Sequence, residues 1–201
     1  MNTENYVNYE PNIWNYEPIK KSSNCYQYML NILDKDRILK CNNDLQNDKN
    51  KKNCGQIGLA CPDDKCKKIK DQCEKYKYIV ENNKLNRHVY TLNNYNDTCI
   101  SGYYKGAIFF APLKEKNDGF HFMRQDNNNL WSHKYSYGDA TDKDLDKKII
   151  IDPMTANLDY NYNPDKWWNF NKLCGTFCIQ ENNIDNKVLD IIPSMQSQSQ
   201  S

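Results

Sequence analysis

The stretch SSNCYQYMLNIL, residues 22–33, predicts an amphipathic helix that begins at a cysteine. Its first three residues carry side chains that can cap the N-terminus of a helix. Behind them, the apolar positions recur at the spacing i, i+3, i+4, i+7 and i+8, namely Cys25, Tyr28, Met29, Ile32 and Leu33. The sequence therefore places Cys25 at the N-terminal end of the helix, on the stripe that faces the core.

The second half of the chain predicts antiparallel strands. Residues 103–113 form an apolar run that suits a buried strand, and residues 173–179 suit a last strand. Between them, residues 120–126 and 130–135 predict a hairpin around three asparagines. We expect an α+β fold in which the helix that carries Cys25 packs on an antiparallel sheet.

The remaining segments predict one domain with extensions. Residues 1–20 contain the echo NYEP at 8–11 and 15–18 and predict an extended arm, which could bind a protein partner. Residues 21–192 form the domain, with a polar insertion at 41–98 that holds one helix at about 62–80. Residues 193–201 are rich in Ser and Gln and predict a disordered tail.

Charge and hydropathy disfavour several classes of function. The chain has 27 basic and 26 acidic residues and no long run of one sign, so no nucleic-acid partner is expected. No stretch approaches 18 apolar residues, so no membrane span is expected. The first six residues lack the pattern of a signal peptide, so classical secretion is not expected; the sequence does not fix the compartment, and the cytoplasm and the inside of a virion are both open. No cofactor is expected.

Nine cysteines allow more than one interpretation. They could form four disulfides and leave one free thiol, or they could stay reduced or pair late. Cys174 and Cys178 lie four residues apart on a predicted strand, which is too far for them to pair with each other. A structural zinc would need ligands two to four residues apart, and this spacing is poor in the cysteines at 54, 61, 66 and 73.

Two of the three histidines, His121 and His133, lie on the predicted hairpin. If Asp126 pairs with Leu130, both imidazoles project from one face as diagonal neighbours about 7–8 Å apart. The third, His88, lies in a polar loop and is expected to be solvated. The segment 124–126 is expected to be a solvated end of the strand.

Cys25, His121 and His133 have the residue types and the order of a thiol hydrolase. Such an enzyme needs a thiolate, an imidazole within hydrogen-bond reach of it, and a polar group that orients the imidazole. Cys25 would be the nucleophile, His121 the base and His133 the orienting group, with Asp126 as an alternative orienting group. The competing interpretation is that Cys25 is an inert core residue, because buried structural cysteines are common.

Several segments carry a resemblance to a known superfamily: Asn24-Cys25-Tyr26 at a helix start, GYYKGAI (102–108), HFMRQD (121–126), WSHK (131–134) and CGTFC (174–178). Together they resemble the papain-like superfamily, and in particular NlpC-type cysteine peptidases and amidases. They are most similar to a little-characterised family of bacteria and large DNA viruses.

The resemblance covers about residues 22–35 and 100–180. It implies a papain-like fold, the roles given above for the three site residues, and a peptide or peptidoglycan-like substrate. The chain departs from the family pattern at Tyr135-Ser136, where Pro-Gly is usual, and at Met29, where a small residue is usual. These departures concern access to the site. The rival function is that of a structural, assembly or virion protein that has lost the activity, and the Tyr-rich arm, the surplus of cysteines and the lack of a signal-peptide pattern favour it.

Overall fold

The computed structural model describes residues 7–48, 51, 54–85, 87–111, 119–160, 168–182, 184, 186–190 and 192. The helices in this part of the chain are α1 (Pro11–Trp14), α2 (Glu17–Ser22), α3 (Cys25–Met29), α4 (Lys35–Asn47), α5 (Asp64–Lys68), α6 (Gln72–Glu81) and α7 (Asn186–Leu189). The strands are β1 (Val89–Thr91), β2 (Tyr103–Ala111), β3 (Gly119–Gln125), β4 (Trp131–Lys134), β5 (Ala140–Thr141), β6 (Asp159–Tyr160), β7 (Trp168–Asn169) and β8 (Lys172–Gln180). The α+β class is confirmed.

Six strands form one antiparallel sheet in the order β1-β8-β2-β3-β4-β5, and β6 pairs with β7 separately. The hairpin of β3 and β4 has the register that the sequence predicts, with Gln125 opposite Trp131 and Met123 opposite His133. The backbone N–H of Asp126 donates to the carbonyl of Leu130 at 2.9 Å, which closes the three-asparagine loop.

The alternation of side chains gives β3 and β4 two different faces. The helix face packs against α3 and carries Phe122, Arg124, Ser132 and Lys134. The histidine face packs against the segment around β6 and β7 and carries His121, Met123, Trp131 and His133. A buried cluster of apolar side chains lies on each side of the sheet, so both faces of these strands are covered.

Helix α3 begins where the sequence predicts. The side chain of Asn24 accepts a hydrogen bond from the backbone N–H of Gln27 at 3.0 Å, so Asn24 is the N-cap. The helix is shorter than the apolar stripe because Asn31 takes a positive φ of 51°, a conformation that Asn tolerates better than most residues. The chain therefore turns away before Ile32.

The prediction of an extended arm is wrong for the described residues 7–20. Both copies of the NYEP echo start a helix, because each proline occupies one of the first two helical positions of α1 or α2. Trp14 is fully buried in a third apolar cluster together with Ile13 and Ile19. These side chains pack within the chain itself and form part of its core.

The prediction of a polar insertion with a single helix at 41–98 is also wrong. Helix α4 extends to Asn47, and the region predicted as one helix is two, α5 and α6, separated by a break at Ile69. The region also supplies the edge strand β1. The sequence signal was weak because α4 buries only Ile38 and Cys41. The tail at 193–201 lies outside the described residues.

Eight of the nine cysteines form disulfides, which are Cys41–Cys54, Cys61–Cys66, Cys73–Cys174 and Cys99–Cys178. As the sequence predicts, Cys174 and Cys178 have separate partners. Two of the bonds fasten α6 and the loop before β2 to β8, over sequence separations of 101 and 79 residues. Bridges of this length remove much conformational freedom from the unfolded chain. Cys25 is the free cysteine.

No helix within the described residues combines the length and the apolar character needed to cross a bilayer.

Candidate functional site

The two hairpin histidines are in direct contact. Nε2 of His121 lies 2.9 Å from Nδ1 of His133, and the rings meet edge to face. Both side chains are buried, with relative exposures of 1% and 2%. The diagonal arrangement expected from the hairpin register is therefore realised as a hydrogen bond.

A backbone carbonyl fixes which ring nitrogens carry the protons. Nε2 of His133 lies 3.1 Å from the carbonyl oxygen of Lys143, which can only accept, so this nitrogen donates. In a neutral His133 the other nitrogen, Nδ1, is then the acceptor, and Nε2 of His121 must donate to it. The remaining nitrogen of the pair, Nδ1 of His121, therefore carries the lone pair that could accept a proton.

Burial keeps both rings neutral. It lowers the pKa of His121 well below its usual value, and the nearby His133 lowers it further. Burial also lowers the pKa of His133 to about 4, although the Lys143 carbonyl and the charge of Asp144 oppose this shift. Aromatic rings supply much of the apolar surroundings of His121, with the ring centroids of Phe170 and Tyr135 at 5.2 and 5.9 Å.

Cys25 lies on the other side of the sheet, at the start of α3. The residue is partly exposed, and it packs against the apolar cluster of the helix face. The backbone N–H of Phe122 lies near enough to its sulfur to lower the pKa of the thiol. Phe122 directly follows His121 and lies just beyond the last pair of the β3–β4 ladder, Met123 with His133. The sulfur thus meets β3 at the residue next to His121, where the ladder ends.

The ionisation of Cys25 is subject to opposing effects. Burial raises the pKa of the thiol, and this effect is the largest. The Phe122 N–H, the charge of Lys134 and the first backbone N–H groups of α3 all lower it. The net pKa is raised, so the resting state pairs a neutral thiol with a neutral imidazole.

Sequence reasoning missed three groups at this site: the N–H of Phe122, the carbonyl of Lys143 and the ammonium of Lys134. The two backbone groups carry no side-chain signal and depend on where the chain passes. The side chain of Lys134 did carry a sequence signal. Lys134 follows His133 in a strand, so it must project from the opposite face, towards α3.

The prediction that residues 124–126 form a solvated strand end is wrong. Arg124 and Asp126 are both buried and form a salt bridge at 3.0 Å. The guanidinium also donates to the side chain of Asn31 and the carbonyl of Tyr28 and lies over the Tyr28 ring, 4.1 Å from its centroid. The carboxylate of Asp126 thus pairs with Arg124, and the side chain that is hydrogen-bonded to His121 is that of His133.

The cysteines considered as zinc ligands and the third histidine, His88, lie outside this site. The cysteines considered for zinc, Cys54, Cys61, Cys66 and Cys73, are all in disulfides and offer no thiolate ligands. His88 is exposed as predicted, and its Nδ1 lies 2.8 Å from the hydroxyl of Tyr103.

The structure thus brings His121 and His133 together and sets Cys25 beside the backbone of the same strand. Comparison of the chain with protein-family models, with curated proteins and with solved structures finds no match.

Proposed function

We propose that this protein is a cysteine hydrolase of papain-like, NlpC type that cleaves peptide-type amide bonds. Cys25 would act as the nucleophile, His121 as the general base and then acid, and His133 as the residue that orients His121. The observation that carries this proposal is that the one cysteine outside the disulfides touches β3 next to a histidine whose proton-accepting nitrogen is fixed by a second histidine.

The hydrogen bonds of the histidine pair suit this division of roles. Nδ1 of His133 accepts a hydrogen bond from the Nε2–H group of His121. Nδ1 of His121 is therefore the nitrogen that can accept the thiol proton. This is the orienting role of the third member of a catalytic triad. We infer that the thiol and imidazole approach each other at the end of the β3–β4 ladder, where the sulfur meets the backbone of Phe122.

The reaction would start from neutral groups. Nδ1 of His121 removes the proton of the Cys25 thiol as the sulfur attacks the substrate carbonyl, and the resulting imidazolium then protonates the leaving amine. Water, deprotonated by His121, cleaves the thioester, releases the acid and restores the thiol. The Phe122 N–H, which lowers the pKa of the thiol, would stabilise negative charge on the sulfur.

A structural or assembly role without catalysis is the second candidate. The raised pKa of the Cys25 thiol and the burial of His121 favour it, because both reduce the reactivity of the pair. The four disulfides are compatible with either role and favour an oxidising setting, such as an extracellular or particle-associated one. A peptide or peptidoglycan-like substrate, and a protein partner for the N-terminal segment, belong to these proposals as well.

Alkylation of the native, non-reduced protein tests the proposal. The disulfides leave Cys25 as the thiol that iodoacetamide can modify, so the labelling rate reports this residue directly. If His121 is the base, Cys25 should react faster than glutathione at pH 7.5, and His121→Gln should slow it. The matched control is His88→Gln, which changes an exposed histidine outside the site and should leave the rate unchanged.

A second measurement separates catalysis from mere reactivity. Incubation with amino-acid p-nitrophenyl esters should give a thioester on Cys25, visible by mass spectrometry, that decays by hydrolysis. A Cys25 that labels no faster than it does in 6 M guanidinium, and that forms no thioester, would exclude the hydrolase and leave the structural role.

A further inference from the structure

Lys134 is a fully buried lysine at the end of β4. It follows His133, and the alternation of the strand therefore directs it to the helix face, towards the start of α3. Lysine is rarely buried completely, because removing its charge from water is costly unless the charge is compensated. The groups around Nζ of Lys134 must therefore compensate for the loss of water.

Three backbone carbonyls hold the amine. Nζ lies 2.8 Å from the carbonyl oxygen of Lys20 and 2.8 Å from that of Ser23, and it also donates to the carbonyl of Ser136. Only an ammonium has three N–H groups, so this arrangement suits the charged form. All three protons are then committed, and none is left for a fourth partner.

No carboxylate of the described residues is bound to this charge. Among the described residues, the salt bridges do not include Lys134, and the carbonyls that hold it are neutral. Lys20 repels it, and Asp139 attracts it from a distance while pairing directly with Lys20 at 3.2 Å. The other group that attracts Lys134 is Cys25, two residues after Ser23, whose carbonyl binds the ammonium.

We propose that the Lys134 ammonium is the counter-charge of the Cys25 thiolate. It acts as a fixed positive charge and not as a proton donor, because the carbonyls occupy its three hydrogens. In this arrangement β4 serves the site from both faces: His133 orients the base on one face, and Lys134 stabilises the nucleophile on the other. The use of this charge in catalysis rests on the proposed hydrolase function, whereas the electrostatic coupling can be measured on the thiol alone.

The coupling must be reciprocal. If the ammonium lowers the pKa of the thiol, the thiolate raises the pKa of Lys134 by the same amount. Burial lowers the pKa of Lys134 to about 7, and Cys25 is the largest influence in the opposite direction. The titrations of the two groups should therefore be coupled. A lysine that only held three carbonyls would be indifferent to Cys25.

The first test is the pH profile of Cys25 alkylation. Opposite charges at close range lower a pKa by about 1–3 units, so Lys134→Met should move the midpoint of the profile upward by about 1 pH unit or more. Lys134→Arg, which keeps the charge, should move it less. Lys67→Met is the matched control, because it removes an exposed cation that is paired with Asp64 in α5. An unchanged midpoint in a folded Lys134→Met protein would overturn the proposal.

The second test leaves Lys134 in place, in case its substitution prevents folding. Lysine labelled with ¹³C at Cε reports the charge of each amine by NMR, and Lys134 is recognisable by its low pKa. In the native protein its ammonium should persist to higher pH than in Cys25→Ser. Superimposable titrations in the two proteins would contradict the proposal.

These outcomes distinguish the two proposals. A midpoint that moves in Lys134→Met while no thioester forms would support the coupling and reject the hydrolase. A thioester that forms in the native protein, with an unchanged midpoint in Lys134→Met, would do the reverse.

Discussion

The two faces of β3 and β4 bury polar side chains in opposite ways. The helix face buries two cations, Arg124 and Lys134, and surrounds them with carbonyl groups, a carboxylate and aromatic rings. The histidine face buries two neutral imidazoles, which bond to each other and to one carbonyl. The same four-residue strand, β4, supplies one member to each group.

The difference lies in what each group leaves unused. Each polar nitrogen of Arg124 donates to an oxygen of Asp126, Tyr28, Asn31 or Asn8, so this side chain fastens the hairpin to α3 and to the N-terminal segment. The two histidines instead keep one nitrogen lone pair that can accept a proton, on Nδ1 of His121. A guanidinium whose nitrogens are all hydrogen-bonded is typical of a structural role, whereas a lone pair on a neutral imidazole can take part in chemistry.

Substitution of Arg124 should give the largest effect on stability. Arg124→Met leaves Asp126 buried without its partner, which typically costs about 3–5 kcal/mol in the free energy of unfolding. Urea unfolding followed by circular dichroism measures this loss. Arg37→Met is the control, because Arg37 is partly exposed and its salt bridge with Asp34 should contribute about 1 kcal/mol or less. Equal losses in the two variants would contradict a special role for the helix face.

His121→Gln should act on chemistry more than on stability. If His121 is the general base, the alkylation rate of Cys25 at pH 7.5 should fall about 100-fold, the lower end of what general-base catalysis contributes. His133→Gln should give a smaller loss, because it removes the orienting group and leaves the base. Thermal unfolding of each variant shows whether the fold is kept. A larger loss in His133→Gln than in His121→Gln would reverse the assigned roles.

Acid should destabilise the protein through the histidine face. The unfolded chain binds protons on these histidines near their usual pKa of 6.5, while burial holds the pKa values of the folded protein lower, at about 4 for His133. Stability is therefore fully present above pH 6.5 and is lost as the pH falls towards 4, by up to about 1.4 kcal/mol per pH unit for each histidine. Urea unfolding between pH 7.5 and 4.5 gives the slope. His133→Gln should flatten it, while His88→Gln should not.

Ser132→Ala should give the smallest effect. The hydroxyl of Ser132 lies 2.7 Å from the hydroxyl of Tyr28, and both groups are buried on the helix face. Loss of one neutral hydrogen bond costs about 1 kcal/mol. Urea unfolding measures the change, and Cys25 alkylation should stay unchanged because the lost hydrogen bond joins Ser132 to Tyr28 and involves neither Cys25 nor the histidine pair. An altered alkylation rate would show that the packing of Tyr28 acts on Cys25 through α3.

The features that the sequence predicts correctly depend on local rules. The period of two in a strand and the three-asparagine loop fix the hairpin register and bring His121 and His133 together. The cap at Asn24 fixes the start of the cysteine helix. The distance along an extended strand excludes a Cys174–Cys178 bond. Each of these follows from a few neighbouring residues.

The features that it misses depend on distant partners. Arg124 and Asp126 have the composition of a solvated strand end. Their burial is favourable only because Arg124 donates hydrogen bonds to oxygens of Tyr28, Asn31 and Asn8, which are distant in the sequence. The arm at 7–20 and the polar helix α4 were misread for the same reason, because burial of Trp14 and the Cys41–Cys54 bond stabilise what their local patterns do not.

The sequence by itself thus determined that one hairpin carries two neighbouring histidines and that Cys25 begins a helix. Only the tertiary structure decided which cysteine stays free, which nitrogen of His121 keeps its lone pair, and that a buried lysine binds the carbonyl of Ser23, two residues before the thiol. The physical reason is that residue spacing sets the direction of a side chain. Its protonation and reactivity depend on the burial, the carbonyl groups and the charges that the rest of the fold places around it.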